Sequence, residues 1–138
     1  MSNSTLDPLE QLTSAVSDYR SNFNTYDLKK LQDIRDRISL SLHYLSGEYS
    51  DSRYNAEHAE YSKKKAIAEV CESLRGKKDE ATQKPLTREQ IADRAIIQTE
   101  PFSNKQIAAN KESYNMRLLF ETGNQILNSI SSRINLTK

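Results

Sequence analysis

The stretch Tyr61–Gln90, YSKKKAIAEVCESLRGKKDEATQKPLTREQ, decides the fold. Its first half has helical composition up to Arg75. Gly76 follows, a residue able to close a helix in the left-handed conformation. Residues 77–86 (KKDEATQKPL) are polar until Leu86 and read as a turn. A second helix then starts with strong signals. Thr87 can cap it, Gln90 stands three residues on to complete a capping box, and Leu86 and Ile91 occupy the staple positions. A helix that ends and another that restarts within a dozen residues predict a helical hairpin with its tip at 76–86.

Working back from the tip, apolar or small residues recur in a 4-3 pattern: Leu31, Arg35, Ile38, Leu42, Leu45, Tyr49, Ser52, Ala56, Ala59, Lys63, Ala66 and Val70. This is a heptad-like seam, rich in Leu and Ile at first and thin afterwards. Ser46–Ser52 (SGEYSDS) has low helix propensity, but the stripe stays in phase across it, which predicts one continuous helix over 24–75. Asn24 is the expected cap, with Phe23 and Leu28 as its staple. Before it, Asp7-Pro8 marks a helix start, and Leu9, Leu12, Val16, Tyr19 and Phe23 give one apolar face to a short helix over 6–23. The segment Ser21–Thr25 (SNFNT) is expected to end it.

Forward from the tip, the returning helix is expected over 87–100, with a stop at Glu100-Pro101. A restart is expected over 103–135, capped by Ser103 with Gln106 completing the box and Phe102 facing Ile107. Its stripe is Ala109, Met116, Leu119, Gly123, Ile126, Ile130 and Ile134, widened by Leu118, Phe120 and Leu127. Gly123 inside the stripe points to a close backbone approach. The expectation is a single all-α domain over 1–138, a long antiparallel coiled-coil hairpin with the short first helix packed at its open end.

Composition agrees. The 138 residues are 36% hydrophobic and 28% charged, with only three Gly and three Pro, as in an elongated helical protein rather than a strand-rich one. Cys71 is the only cysteine, which excludes an intrachain disulfide and suits a reducing, cytoplasmic location. No stretch approaches a membrane span. His43 and His58 are too far apart along one helix to share a metal ion, and no His-x-x-x-His, Cys-x-x-Cys, phosphate-loop or nucleophile-elbow motif occurs. Neither a catalytic site nor a cofactor is expected.

Net charge is +1, so any attraction for a polyanion must come from local clustering. Between Tyr61 and Lys78 six basic residues, Lys63, Lys64, Lys65, Arg75, Lys77 and Lys78, stand against Glu69 and Glu72. Tyr49, Tyr54 and Tyr61 precede them, and phenol rings can stack bases, although Tyr49 also fits the seam. The pattern is that of a sequence-tolerant contact with single-stranded nucleic acid. A solvated helix end, where lysines favour the negative pole of the helix dipole, gives the same pattern.

The block KKKAIAEV (63–70), LRGKKD (74–79), LTREQ (86–90) and the terminal NQILNSISSRI (124–134) resembles small helical phage proteins that accompany recombinases or annealing proteins. More distantly it is similar to the UvsY-type recombination mediators. The resemblance covers roughly Arg53 to the C-terminus. It implies a non-catalytic homo-oligomer that binds single-stranded DNA and works with a recombinase and a single-strand-binding protein, with Lys63, Lys64 and Lys65 as contacts. UvsY-type proteins carry further basic residues where this chain has Ala68 and Val70. The reading that competes with it is a helical structural or assembly adaptor without a nucleic-acid role.

Overall fold

The computed structural model describes residues 7–21 and 27–137. The fold is all-α: a short N-terminal helix and a long helical hairpin. Helix α1 spans Pro8–Ser21, α2 Leu28–Leu74, α3 Arg88–Gln98 and α4 Glu100–Thr137. Among the described residues there is no strand, only an isolated bridge between Lys78 and Pro85.

Two compact units share the long helices. The first comprises Met1–Ser50 and Tyr114–Lys138, the second Asp51–Ser113. In the first unit, α1, the start of α2 and the end of α4 enclose one core. Leu12, Leu31, Ile34, Ile38, Leu45 and Ile130 are all but inaccessible to solvent, with Ile126, Ile134 and Leu42 close behind. Each such side chain contributes roughly 1.5–3 kcal/mol by leaving water. Leu42 meets Gly123, and Tyr49 packs on Phe120 with ring centroids 4.9 Å apart. The partners ascend on α2 as they descend on α4, so the two segments are antiparallel. Polar ties fix α1 on this pair. Arg37 on α2 reaches Asp18 at 2.7 Å and Ser14 at 3.2 Å. The Tyr19 hydroxyl and Ser129 Oγ on α4 are 2.6 Å apart.

The second unit is thinner. Its buried residues are Ser52, Ala66, Leu74, Leu86, Ala95 and Thr99. Small side chains let helices approach but remove little apolar area from water. Tyr54, Tyr61, Ile96, Ile97 and Ile107 are each more than 60% exposed.

Every position of the expected α2 seam, Leu31 through Val70, is buried or half-buried. Helix α2 passes unbroken through Ser46–Ser52, because one in-phase stripe outweighs the local propensity of Gly and Ser. Its start is marked by Asp27, whose Oδ1 accepts a hydrogen bond from the Lys30 N–H at 2.8 Å. The expected cap Asn24 and staple residue Phe23 lie outside the described residues. Pro8 opens α1 as expected, and the Gln11 N–H bonds to the Asp7 carbonyl at 2.9 Å.

The restart at Ser103 is corrected. Helix α4 begins at Glu100, and Ser103 is inside it, its N–H bonded to the Thr99 carbonyl at 3.1 Å. Pro101 is only the second residue of α4, within the first turn, where a missing N–H has no partner to lose. The break with α3 is the single residue Thr99. It is 1% exposed, and both its N–H and its hydroxyl donate to the Ala95 carbonyl, at 3.0 and 2.6 Å. Phe102 and Ile107 are accordingly exposed rather than stapled. Leu118, expected in the core, is also exposed. It lines an apolar groove of about 710 Å3 between α1 and α4, with Leu9, Val16 and Leu119.

At Thr87 the capping box is complete. The Gln90 N–H donates to Thr87 Oγ1 at 3.2 Å, and the Thr87 N–H to Gln90 Oε1 at 2.9 Å. Thr87→Ala is therefore expected to cost about 1 kcal/mol, a fall in Tm of about 3 °C for a chain of this size. Ser103→Ala, placing a better helix former in a helix interior, is expected to leave Tm unchanged or slightly raised. Thermal circular dichroism of the two variants side by side checks both.

Candidate nucleic-acid interface

The six basic residues singled out in the sequence all belong to the second unit, but they do not form one patch. Consecutive residues of an α-helix are turned by about 100°. Lys63, Lys64 and Lys65 therefore point three ways. Lys63 occupies a seam position and is half-buried, while Lys64 and Lys65 are exposed. Lys64 is engaged by Glu60 at 3.1 Å, one turn earlier. Lys65 makes no ion pair with the described residues.

Helix α2 ends as expected. Gly76 takes φ +77°, and the Lys77 N–H bonds to the Leu74 carbonyl at 3.2 Å. Arg75 is exposed and held by Glu72 at 2.9 Å. Lys77 and Lys78 are exposed on the loop, with no ion pair among the described residues.

The loop is more ordered than a polar turn need be. Asp79 organises it. Its N–H donates to the Lys84 carbonyl and its own carbonyl accepts from the Gln83 N–H, both at 2.8 Å. Its carboxylate accepts from the Ala81 N–H at 2.9 Å and from Gln90 Nε2 at 3.3 Å. Gln83 adopts φ +60° to close the turn, and the Leu86 N–H returns to the Lys77 carbonyl at 2.9 Å. One side chain thus ties the loop to Gln90, the residue that completes the capping box of α3. The Asp79 carboxylate is held by neutral donors and makes no ion pair among the described residues, and the neighbouring Lys77 and Lys78 are exposed.

Beside this loop is a cavity of about 580 Å3 lined by Cys71, Arg75, Gly76, Leu86, Arg88, Ile91 and Ala92. Arg88 was not among the residues expected at the site. It lies on the returning helix, ten residues beyond Lys78, and the hairpin brings it to Arg75. A hairpin tip at 76–86 places the residues on either side of it together, so its place could have been read from the turn. Cys71 is half-buried.

Of the three tyrosines, Tyr49 is half-buried in the first unit, packed on Phe120. Tyr54 and Tyr61 are exposed on α2 in the second. Among the described residues no group of His, Cys, Asp and Glu side chains could hold a metal ion. Among the described residues no helix is long and apolar enough to cross a membrane.

Comparison with protein-family models, with curated proteins and with solved structures gives no match.

Replacing Asp79 by Ala removes two acceptor bonds from the loop, at an expected cost of about 1–2 kcal/mol. Trypsin cleavage after Lys77 is expected to accelerate relative to the parent protein, read by mass spectrometry of a limited digest.

Proposed function

We propose that the protein is a non-catalytic single-stranded-DNA-binding accessory of recombination, acting in the cytoplasm as a homo-oligomer alongside a recombinase or annealing protein and a single-strand-binding protein. The observation that carries the reading is the basic hairpin tip. Lys77 and Lys78 are exposed and make no ion pair among the described residues, on a loop that also carries the hydrogen-bonded Asp79 and the exposed Glu80, with Arg75 and Arg88 lining the adjoining cavity. Exposed ammonium groups at a rigid turn offer phosphates a contact that needs little ordering on binding. The resemblance of residues 63–90 and 124–134 to phage recombination accessories and UvsY-type mediators, read from the sequence alone, points the same way. Lys65, Lys77 and Lys78 are its principal phosphate contacts. Lys64 and Arg75 join once their intrahelical carboxylates are exchanged for phosphate, and Lys63 contributes least.

The thin second unit supports the homo-oligomer. Ile96, Ile97, Phe102 and Ile107 face water there, and monomeric proteins seldom leave so much large apolar surface uncovered in one region. The same observation favours the competing reading, an assembly adaptor that needs no nucleic acid.

Binding to a labelled single strand, followed by anisotropy at several salt concentrations, separates the two. For single strands the logarithm of affinity falls with the logarithm of salt by about 0.7 per phosphate neutralised. Replacing Lys65, Lys77 and Lys78 by Ala is expected to flatten that slope by about 2 and to weaken every base sequence alike. Replacing Lys29 and Lys30, basic residues of the first unit on the same helix, is expected to leave it unchanged. Equal losses from both sets mean diffuse charge rather than a site, and no binding by the parent protein at low salt leaves the adaptor. Sedimentation of the same samples reads the assembly state, and a monomer at micromolar concentration removes the oligomer from the proposal.

A further inference from the structure

Tyr54, His58, Tyr61 and Lys65 follow one another on α2 at spacings of four, three and four residues. At about 100° per residue their side chains leave the helix within about 60° of one another. All four are exposed, Tyr54 at 66% and Tyr61 at 64%. The Tyr54 and His58 rings are near-parallel, with 21° between their planes and 6.0 Å between centroids. The strip is therefore three aromatic rings in line, ending in a lysine that has no ion pair with the described residues.

This arrangement is not accounted for by packing. The α2 seam runs along the other side of the helix, through Ser52, Ala56, Ala59 and Ala66, which are buried or half-buried. Large aromatic side chains left in water have the opposite of their usual placement. Their chemistry matches the unpaired bases of a single strand, which offer a π-face that an aromatic side chain can cover whatever the base. Acidic side chains stand before and after the strip, at Asp51, Glu69 and Glu72, and two stand beside it: Glu57, which is exposed, and Glu60, which Lys64 engages at 3.1 Å.

We infer that Tyr54, His58 and Tyr61 form a base-stacking strip that holds about two or three unpaired bases, with Lys65 taking the phosphate at its end. The inference rests on the single-strand reading and adds to it how the protein rejects duplex. Bases stacked within a duplex have their faces covered, so the strip has nothing to hold there, whereas lysines alone would accept either form.

The test compares oligothymidylate with an abasic deoxyribose-phosphate strand of equal length and charge, each titrated with the full-length protein. The parent protein is expected to prefer the base-containing strand by at least about tenfold, since each stacked base contributes fivefold or more (about 1 kcal/mol at the low end). Changing Tyr54 and Tyr61 together to Ala is expected to abolish the preference while leaving abasic-strand affinity and helix content in place. Changing both to Phe, which keeps the rings, is expected to retain it. Ala at Tyr44 and Tyr114, exposed tyrosines of the first unit, is expected to have no effect. Equal affinity of the parent protein for the two strands overturns the strip while leaving phosphate binding standing. Retention of the preference in the double Ala variant overturns it too. Failure of the parent protein to bind either strand overturns the single-strand reading and the strip with it.

Discussion

A Cβ placed on residue 123 would lie 3.0 Å from both terminal methyl carbons of Leu42. That is tighter than most side-chain contacts, so Leu42 would have to shift by a few tenths of an ångström, and it shows how closely the end of α4 settles on α2. The approach lets Ile126, Ile130 and Ile134 share one core with Leu31, Ile38 and Leu45. The arrangement also gives α1 a surface to close, held by Arg37 and by the Tyr19–Ser129 contact. Glycine in a helix costs about 1 kcal/mol of propensity; the burial it permits is several times larger. Stability is thus concentrated in the first unit, while the second keeps its larger side chains outside.

That division explains why the candidate interface is where it is. A seam of Ser, Ala and half-buried Lys needs no large side chains inside, so the outer face of α2 is free to carry tyrosines and lysines. The loop beyond it is stiffened by hydrogen bonds to Asp79 and anchored by the buried Leu86, while Lys77, Lys78 and Lys84 stay exposed. Both features leave charge and aromatic surface accessible without weakening the core that supports them.

The hairpin was legible because its signals are local and redundant: Gly76, the Thr87–Gln90 box, and a seam whose phase survives an unfavourable stretch. Pro101 misled because proline excludes itself from a helix interior but not from a first turn, and the sequence around it suits both. The expectation at Lys63 carried its own contradiction, since the residue was placed both in the seam and in the binding set; burial along the seam prevailed. Charge counting along the chain ignores the 100° turn between neighbours, and that turn separates Lys63, Lys64 and Lys65. The same helical geometry aligns His58 with Tyr54 and Tyr61. His58, too far from His43 to share a metal ion, contributes there as a ring stacked on Tyr54. Arg88 was missed because it is near Arg75 in space and not in sequence.

The uneven core has a consequence for motion. Helix α2 is one continuous element, yet its amide protons are anchored by very different surroundings before and after Ser50. Local opening follows the apolar contacts that must be broken, not helix continuity. Backbone amides between Leu31 and Leu45 should exchange with solvent only on near-global unfolding, whereas those between Asp51 and Val70 open at a smaller free-energy cost. A ligand bound along the outer face of that second stretch would slow its exchange first. The protein would then register occupancy as a rise in local order, with no change of fold.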